Sequence, residues 1–375
     1  MEIRLLRTDD AEACNALHNK FSHNKRSLDQ WRWDFDSGLY QTDQLPFAVA
    51  DDDGRIVGTQ AFIPIRFIDR DGVYWTAKSE ETLVDPDYRG QKLFERMYEL
   101  LFGYAEERSL RYVWGFTPAT KAFLKLGFKI PCATEQLLFP FHAVGISNLI
   151  ESRVLVGRSV STVDRLKMIP YRIGAAGARL TASAKFGLAR RAGLVGDSLD
   201  TRIVEAAPDG CAELCRRFVG QYGGPTIYRD EAYLEWRIFN NPYTKPIMRA
   251  AFERNTLVGW IIYSIGDENV GYIVDVMAAT PDNATLAPRQ IVKRLLVEAL
   301  DDLRRTGIAA ARGWCVTNHP FDKLVREVSR SLGFFHVRRG HAVVVLGSTP
   351  EFHDPLDDSF SDWYVTRIFT EGVAG

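Results

Sequence analysis

The stretch from Ser79 to Glu107, SEETLVDPDYRGQKLFERMYELLFGYAEE, combines residue types that together can bind a phosphate group. An extended, β-branched run is broken at Pro86, passes through Arg89-Gly90 and enters a run with helical spacing. A loop that ends at a helix start presents unpaired backbone N–H groups and the positive end of the helix dipole. Such a loop suits a pyrophosphate. Gly90 allows close backbone approach, and Arg89 and Lys92 add positive charge.

Two carboxylates, Glu80 and Glu81, precede this loop on the extended run. An amine attacks a carbonyl only as the neutral species, so a group such as a carboxylate must accept its proton. Successive side chains of a strand point to opposite faces, and only one of the two is therefore expected to face a substrate cleft. The alternative is structural, since a carboxylate in an apolar strand also needs an arginine partner or solvent.

An internal repeat shows which elements position these residues. LDQWRW around Trp31 returns as YLEWRI around Trp236, AVADDDGRIVG as RAAFERNTLVG, VWGFT as GWCVT, and KLGF as SLGF, with offsets of 205, 201, 200 and 206 residues. Four ordered matches at nearly one offset indicate a duplicated unit. Glu80 then aligns with Asp275, because each lies six residues before a proline. The alignment makes Glu80 the preferred base and Glu81 the alternative.

Each half predicts the same succession of elements. A short strand and helices precede a hairpin that turns at Asp53-Gly54 or at Arg254-Asn255, where Gly and Asn tolerate positive φ. A further strand leads into an amphipathic helix, predicted over 91–108 and 290–305, and closing strands follow. The fold class is α/β (α+β), with a mixed, mostly antiparallel sheet flanked by helices in each of two domains. The predicted boundaries are 1–142 and 201–375, with a connector over 143–200.

The run from Val84 to Phe94, VDPDYRGQKLF, resembles the signature of the GNAT superfamily of acyl-CoA-dependent N-acetyltransferases. In that signature a strand ending in V-x-P is followed by Y-R-G-x-G and a helix, and the later run KAFLKLGF resembles the family's F-Y-x-K-L-G-F. The resemblance implies two GNAT-like domains in tandem and acetyl-CoA as co-substrate, and the spacing of the histidines and cysteines predicts no metal. The resemblance also implies that a backbone N–H near Leu83-Val84 stabilises the oxyanion. The implied cofactor-binding residues are Leu83, Val84, Arg89, Gly90, Gln91, Lys92, Leu93 and Phe94.

The chain departs from the family pattern at several positions. Lys92 stands where the family usually has a second glycine, and Phe94 where it often has Gly or Ala. The tyrosine that in many members protonates the departing thiolate aligns with Phe123, so water or another tyrosine must replace it. The second half lacks Arg-Gly and has Pro288 before its helix. We therefore expect one acyl-CoA site, in the first half.

Trp31 and Arg32 are candidates for lining an acceptor cleft. An arginine can grip a carboxylate or phosphate with two parallel hydrogen bonds. Their recurrence as Trp236-Arg237 favours a structural role instead.

The composition limits the kinds of binding partner and the cellular compartment that the sequence predicts. The chain of 375 residues is 46% hydrophobic and 25% charged, with a formal net charge of −1, which is typical of a globular protein and gives no field for nucleic acid. The five cysteines are scattered, and no histidine cluster has metal-ligand spacing. With a charged amino terminus and no membrane-spanning run, the sequence predicts a cytoplasmic protein.

The connector between the halves is strongly basic. From Ser152 to Gly196 it holds nine Lys or Arg residues and a single acid, Asp164. A basic amphipathic stretch can contact an anionic membrane or a phosphorylated substrate. The alternative is a solvated helical connector that packs on the two domains.

The sequence thus predicts an N-acyltransferase that moves an acetyl group from acetyl-CoA to the amine of a small molecule or sugar. One alternative is a FemX-like aminoacyl transferase, although such enzymes do not need CoA and the Arg89-Gly90 loop argues against it. The other is a non-catalytic acyl-CoA sensor or scaffold. The acceptor, the acyl-chain length and the oligomeric state stay open.

Overall fold

A computed structural model describes residues 1–22, 24–36, 38–42, 44–117, 119–143, 169–191, 199–266, 269–315, 318–353, 356 and 362–370. The first half contains β1 (Glu2–Leu5), α1 (Ala11–Phe21), α2 (Leu28–Phe35), β2 (Phe47–Asp52), β3 (Arg55–Asp69), β4 (Gly72–Val84), α3 (Leu93–Glu107), β5 (Tyr112–Thr117), α4 (Thr120–Lys125) and β6 (Lys129–Pro140). A helix of the connector, α5 (Ile169–Arg191), follows.

The second half repeats this order with small additions. It contains β7 (Leu199–Val204), α6 (Cys211–Tyr222), β8 (Thr226–Ile227), α7 (Glu231–Leu234) continued by a π-helical turn (Glu235–Phe239), β9 (Ile247–Glu253), β10 (Thr256–Gly266), β11 (Val270–Ala278), α8 (Pro288–Arg305), β12 (Ala310–Cys315), α9 (Pro320–Leu332), β13 (Phe335–Gly347) and α10 (Pro350–His353). The predicted hairpin turns are confirmed, since Asp53, Gly54, Arg254 and Asn255 all have φ between +51° and +90°.

The sheets of the two halves join edge to edge. Within the described residues the strand order is β1-β2-β3-β4-β5-β13-β6-β12-β11-β10-β9-β7, and β8 pairs with β3. The closing strand β13 of the second half pairs with β5, and the closing strand β6 of the first half pairs with β12. β6 and β13 also pair with each other. The α/β class with mixed sheets and flanking helices is confirmed, but each half completes its sheet with the closing strand of the other.

The strands β4 and β5 separate after a short parallel contact. They pair only at Ala77–Val113 and Lys78–Trp114, although β4 continues to Val84 and β5 to Thr117. Beyond Lys78 the two strands diverge, so the edge of β4 that would face β5 is open. This opening leads directly to the loop before α3.

Helix α3 packs against the first-half sheet through one apolar face. Leu93, Met97 and Leu101 are at most 2% exposed and share a core cluster with side chains from β2, β3 and β5. Burying three such side chains stabilises this contact by roughly 5 kcal/mol or more. The helix start is therefore held rigidly beside the opening between β4 and β5.

Candidate active site

The loop between β4 and α3 has the backbone shape of an anion site. Gly90 has φ +84° and Lys92 has φ +57°, and α3 begins at Leu93 without a side-chain cap. The first N–H groups of a helix have no partner within the helix. They point into the loop, where they are available to an anion.

Lys92 keeps the loop shape that a glycine would adopt freely. A left-handed conformation costs a residue with a Cβ about 1 kcal/mol. The Lys92 side chain is exposed, as is that of Arg89. Neither side chain has an ion pair in the described ranges, so both cations are available to a ligand at this loop.

The buried carboxylate of Asp85 holds the start of this loop in place. This carboxylate is 1% exposed, lies 2.9 Å from Lys20 Nζ and 3.2 Å from Arg55 Nη2, and accepts a hydrogen bond from the Asp87 N–H. The hydrogen bond from Lys20 is the main reason that the pKa of Asp85 lies below its ordinary value. The ion pair ties α1 to the start of the loop.

A β-bulge in β4 changes the expected orientation of the two glutamates. Thr59 pairs with Leu83 and Ala61 with Glu80, so two residues of β4 lie opposite the single residue between Thr59 and Ala61. Glu81 takes a positive φ of +54° there. The expectation that only one of Glu80 and Glu81 faces the cleft was wrong, because the bulge interrupts the alternation and both line the same cleft.

The backbone register distinguishes Leu83 from Val84. The Asp85 N–H donates to the Val57 carbonyl at 2.8 Å, so it points toward β3. Successive amides of a strand point in opposite directions. The Leu83 amide therefore also points toward β3, whereas the Val84 N–H points to the open edge next to β5.

A cleft of about 590 Å³ lies beside the glutamates, between the two halves. The first half contributes residues of α1, of the segment after it, of α2, and of β3 and β4. The second half contributes the π-helical turn, the segment before β9 and the end of β10. The lining residues that matter for the chemistry are His18, Arg26, Asp34, Glu80, Glu81 and Tyr243.

Glu81 lies at the centre of an ion-paired network. Its carboxylate accepts hydrogen bonds from Arg26 at 2.8 and 3.3 Å, and His18 Nδ1 lies 3.2 Å from its Oε1. Arg26 also pairs with Asp34 at 3.2 Å. Burial favours the protonated form of Glu81, but the His18 hydrogen bond and the Arg26 charge outweigh it and hold its pKa below the ordinary value. Glu81 is therefore a carboxylate at neutral pH.

Glu80 is paired as well. It forms an ion pair with Lys78, and the two side chains are 14% and 4% exposed. A carboxylate that already faces a cation has less tendency to accept a proton. Neither glutamate is thus an unpaired base.

His18 is a cleft residue that the sequence did not single out. It lies on α1, and its side chain is 25% exposed to the cleft. When Nδ1 donates to Glu81, the lone pair of the imidazole is on Nε2, which can accept a proton. No sequence signal pairs His18 with Glu81, because the contact joins α1 to a bulge far along the chain.

Trp31 and Arg32 do not lie at the cleft. Trp31 is 3% exposed and packs against Phe35 and Phe47. Arg32 is exposed and pairs with Asp29 on its own helix. The acceptor-lining expectation for this pair was wrong, because this turn of α2 directs them to the core and to solvent. The repeat residues Trp236 and Arg237 line the cleft instead.

Phe123 stands where many GNAT members have the tyrosine that protonates the departing thiolate, and Tyr98 is a tyrosine next to it. Phe123 is buried and packs against Phe94 and Tyr98. Burial raises the pKa of Tyr98 to about 12, and its hydroxyl lies 2.6 Å from the Ser79 hydroxyl. Tyr98 thus supports the bulged strand from inside the core.

In the second half, the carboxylate that aligns with Glu80 is sealed inside the protein. Asp275 and Arg229 are both fully buried, with Arg229 Nε 3.0 Å from Asp275 Oδ2. Trp260 and Thr366 also donate hydrogen bonds to Asp275. The Asp275 carboxylate therefore accepts its hydrogen bonds from buried side chains of the second half.

The fold is α/β, with two related halves that share one continuous sheet, and the loop before α3 is a candidate anion site. A family model described as an acetyltransferase (GNAT) domain matches residues 2–130. The first half of the chain is thus similar to a GNAT acetyltransferase domain. No curated protein sequence matches the chain.

Solved structures share the fold over nearly the whole chain. A GCN5-related N-acetyltransferase from Anabaena variabilis superposes with a TM-score of 0.59 at 10% identity, over 93% of this chain and 73% of that one. A probable N-acyltransferase of unknown function from Enterococcus faecalis gives 0.56 at 9% identity, over 94% and 73%. Eis1 from Mycobacterium abscessus gives 0.53 at 12% identity, over 93% and 74%. These likenesses extend to both halves.

The described residues contain no helix with the length and apolarity needed to cross a bilayer. They also contain no group of three or more His, Cys, Asp or Glu side chains arranged to hold a metal ion.

Proposed function

We propose that the chain transfers an acyl group, most simply acetyl, from acyl-CoA to a primary amine bound in the cleft between the halves. The single observation that carries this proposal is the uncapped start of α3 beside the open edge of β4. The loop there has an uncapped helix start, positive φ at Gly90 and Lys92, and the cations Arg89 and Lys92 in its sequence, and the GNAT domain match covers this segment.

In this arrangement the diphosphate of coenzyme A lies on the amides from Gly90 to Phe94, including Gln91 and Leu93. The pantetheine arm follows the open edge of β4. The Val84 N–H, which points to that edge, donates to the thioester oxygen. One such donor typically contributes about 3 kcal/mol to the stabilisation of an oxyanion.

The acceptor amine reaches the thioester from the cleft as its neutral form. We assign the role of base to His18 Nε2, with Glu81 as the positioning residue that holds Nδ1. Glu80, the base preferred from the sequence, is the competing acceptor and is weaker here because of Lys78. The proton moves directly or through one water.

The chemical step then balances in four events. The amine nitrogen forms a bond to the carbonyl carbon, and the carbonyl oxygen becomes an oxyanion. His18 Nε2 takes one proton from the attached nitrogen, and the oxyanion then collapses with cleavage of the C–S bond to give the neutral amide. The thiolate takes a proton from water, because Phe123 has none to give.

Two other functions compete with this proposal. A FemX-like aminoacyl transferase would not need the exposed loop cations. A non-catalytic acyl-CoA sensor would need them but not the paired imidazole in the cleft. His18 and its partner therefore favour an enzyme. We place it in the cytoplasm, consistent with the free, buried cysteines Cys14, Cys211, Cys215 and Cys315.

The test is a thermal shift with acetyl-CoA, followed by turnover on a panel of amines. At a ligand concentration 100 times its Kd, binding adds about 2.7 kcal/mol to the free energy of unfolding. Arg89→Ala should reduce the shift, whereas Arg289→Ala, at the start of the corresponding helix α8, should not. No shift with saturating acetyl-CoA would refute the cofactor assignment, and binding without turnover on any amine would favour the sensor.

A further inference from the structure

Helix α5 of the connector presents two different apolar faces. The inner face consists of Ala175, Ala182 and Phe186, each at most 6% exposed. Phe186 packs against Phe139 of β6, with ring centroids 5.6 Å apart. The helix approaches the turn after α9 so closely that a Cβ at Gly333 would lie 2.6 Å from the Ala182 Cα. This face fixes the helix to the body of the protein.

The outer face consists of four large aliphatic side chains. Ile169 is 44% exposed, Ile173 69%, Leu180 66% and Leu188 68%. At 3.6 residues per turn these four fall within an arc of roughly 100°. Elsewhere in the described ranges, no large apolar residue exceeds 53% exposure. The outer face therefore concentrates the most exposed apolar side chains on one element.

The charge of α5 has a single sign. Its 23 residues include no Asp or Glu and five cations, namely Arg172, Arg179, Lys185, Arg190 and Arg191. Arg190 pairs with Asp301, and the side chains of Arg179 and Lys185 donate to the carbonyls of Phe141 and Arg330. These contacts hold three of the cations along the sides of the helix.

We propose that α5 docks the protein on an anionic lipid bilayer, with the outer face inserted at the headgroup level. An apolar stripe flanked by cations is the pattern of helices that lie in the membrane interface. A protein partner would present charges of both signs, and a matching surface would carry acids as well as bases. A helix with five cations and no acid matches a uniformly negative surface instead.

The inner face makes this docking possible without refolding. Because Ala175, Ala182 and Phe186 already bind the body, the outer face is presented as a rigid ridge. With one helix and four side chains, we expect reversible binding that weakens as salt screens the cations. The proposal is independent of the transferase assignment.

The experiment is co-sedimentation of the full chain with vesicles, one set of phosphatidylcholine alone and one of equal parts phosphatidylcholine and phosphatidylglycerol. The wild-type protein should pellet with the anionic vesicles at low salt and remain in the supernatant with the neutral ones. The triple variant Ile173→Ser, Leu180→Ser, Leu188→Ser should bind at least about tenfold less, as expected from the apolar area removed. The charge variant Lys185→Glu, Arg191→Glu should also bind about tenfold less.

A matched control removes three exposed apolar side chains elsewhere. Leu124→Ser, Ile203→Ser, Val337→Ser should pellet like the wild type, since these residues are 48–53% exposed but lie on other elements. Wild-type protein that stays in the supernatant with anionic vesicles refutes the proposal. So does a dimer of the wild type, seen by size exclusion, that the α5 triple variant converts to a monomer, because the outer face would then bind a second copy.

Discussion

Trp33 and Trp236 each donate an indole N–H to the main-chain carbonyl of the other, at 3.1 and 3.0 Å. Their ring centroids are 5.4 Å apart, and the Arg237 guanidinium lies over both rings. One tryptophan is on α2 and the other on the π-helical turn. This reciprocal pair therefore joins the two halves along one wall of the cleft.

We expect Trp33→Phe to lower the free energy of unfolding by about 1–2 kcal/mol, because it removes one N–H donor and keeps an aromatic ring. Trp236→Phe should cost a similar amount, and a double-mutant cycle should show coupling, since the residues are in contact. Urea unfolding measures both. Trp75→Phe is the control, as its N–H has no hydrogen bond within the described residues. Equal effects at Trp33 and Trp75 would contradict the pairing.

Lys92 carries the conformational cost of the loop between β4 and α3. Lys92→Gly and Lys92→Ala remove the same charge, but only glycine adopts φ +57° without strain. We expect the Gly variant to be more stable than the Ala variant by about 1 kcal/mol, measured by denaturant unfolding. Both variants should bind acetyl-CoA more weakly than the wild type. If Ala is as stable as Gly, the left-handed conformation of Lys92 is not maintained.

Glutamine variants of His18 and Glu80 show which of the two residues is the general base. We expect His18→Gln to lower kcat about 100-fold or more, because it removes a general base, and to leave the Kd for acetyl-CoA unchanged. Glu80→Gln should retain most of the activity. Steady-state kinetics with a saturating amine decide between them. The reverse ranking would make Glu80 the base, as the sequence alone favoured.

The stability contributed by Glu81 depends on pH. Its pKa in the folded protein lies below the ordinary glutamate value of 4.5. Its contribution is therefore fully present above pH 4.5 and is lost as the pH falls through the folded-state pKa. Glu81→Gln leaves Arg26 buried with only Asp34 as a charged partner, and should cost about 3 kcal/mol at pH 7.

Below pH 4.5 the difference between the wild type and Glu81→Gln should shrink, as followed by chemical unfolding across pH. The control is Asp29→Asn, whose partner Arg32 is exposed and 3.3 Å away. Such a surface pair contributes about 0–1 kcal/mol. A pH-independent cost at Glu81 would show that the carboxylate is not the stabilising form.

Asp275 tests whether the second half is structural. Asp275→Asn leaves Arg229 fully buried without a countercharge, and we expect a loss of about 3–5 kcal/mol in the free energy of unfolding. The folded variant should keep its affinity for acetyl-CoA and its kcat. Loss of catalysis without loss of stability would instead place Asp275 in the chemistry.

Much of the fold was predictable from the sequence because its signals are local or repeated. The hairpin turns follow from Gly54 and Asn255, and the amphipathic helices follow from apolar spacing. The pairing of β13 with β5 was not predictable, since the closing strands of both halves have similar patterns. Which edge each one joins is decided by contacts between residues far apart in the chain.

The candidate site was predictable to a similar extent. The loop around Arg89-Gly90 follows from residue types and spacing. The orientation of Glu81 does not, because a one-residue bulge reverses the alternation on which the expectation depended. His18 contacts Glu81 only because of how α1 packs. The sequences around His18 and around Glu81 do not predict that packing.

The exchanged closing strands have a consequence for the symmetry of the chain. Two identical copies of one half, related by a twofold axis, would form the same strand pairings. In each copy, the strand equivalent to β5 would pair with the closing strand of the other copy, and the two closing strands would pair with each other. The chain thus has the topology that a strand-swapped homodimer would have if its two subunits were joined through the segment containing α5. In a single chain the two halves need not be identical. One could keep an open loop for a ligand while the other converted its carboxylate into an internal ion pair.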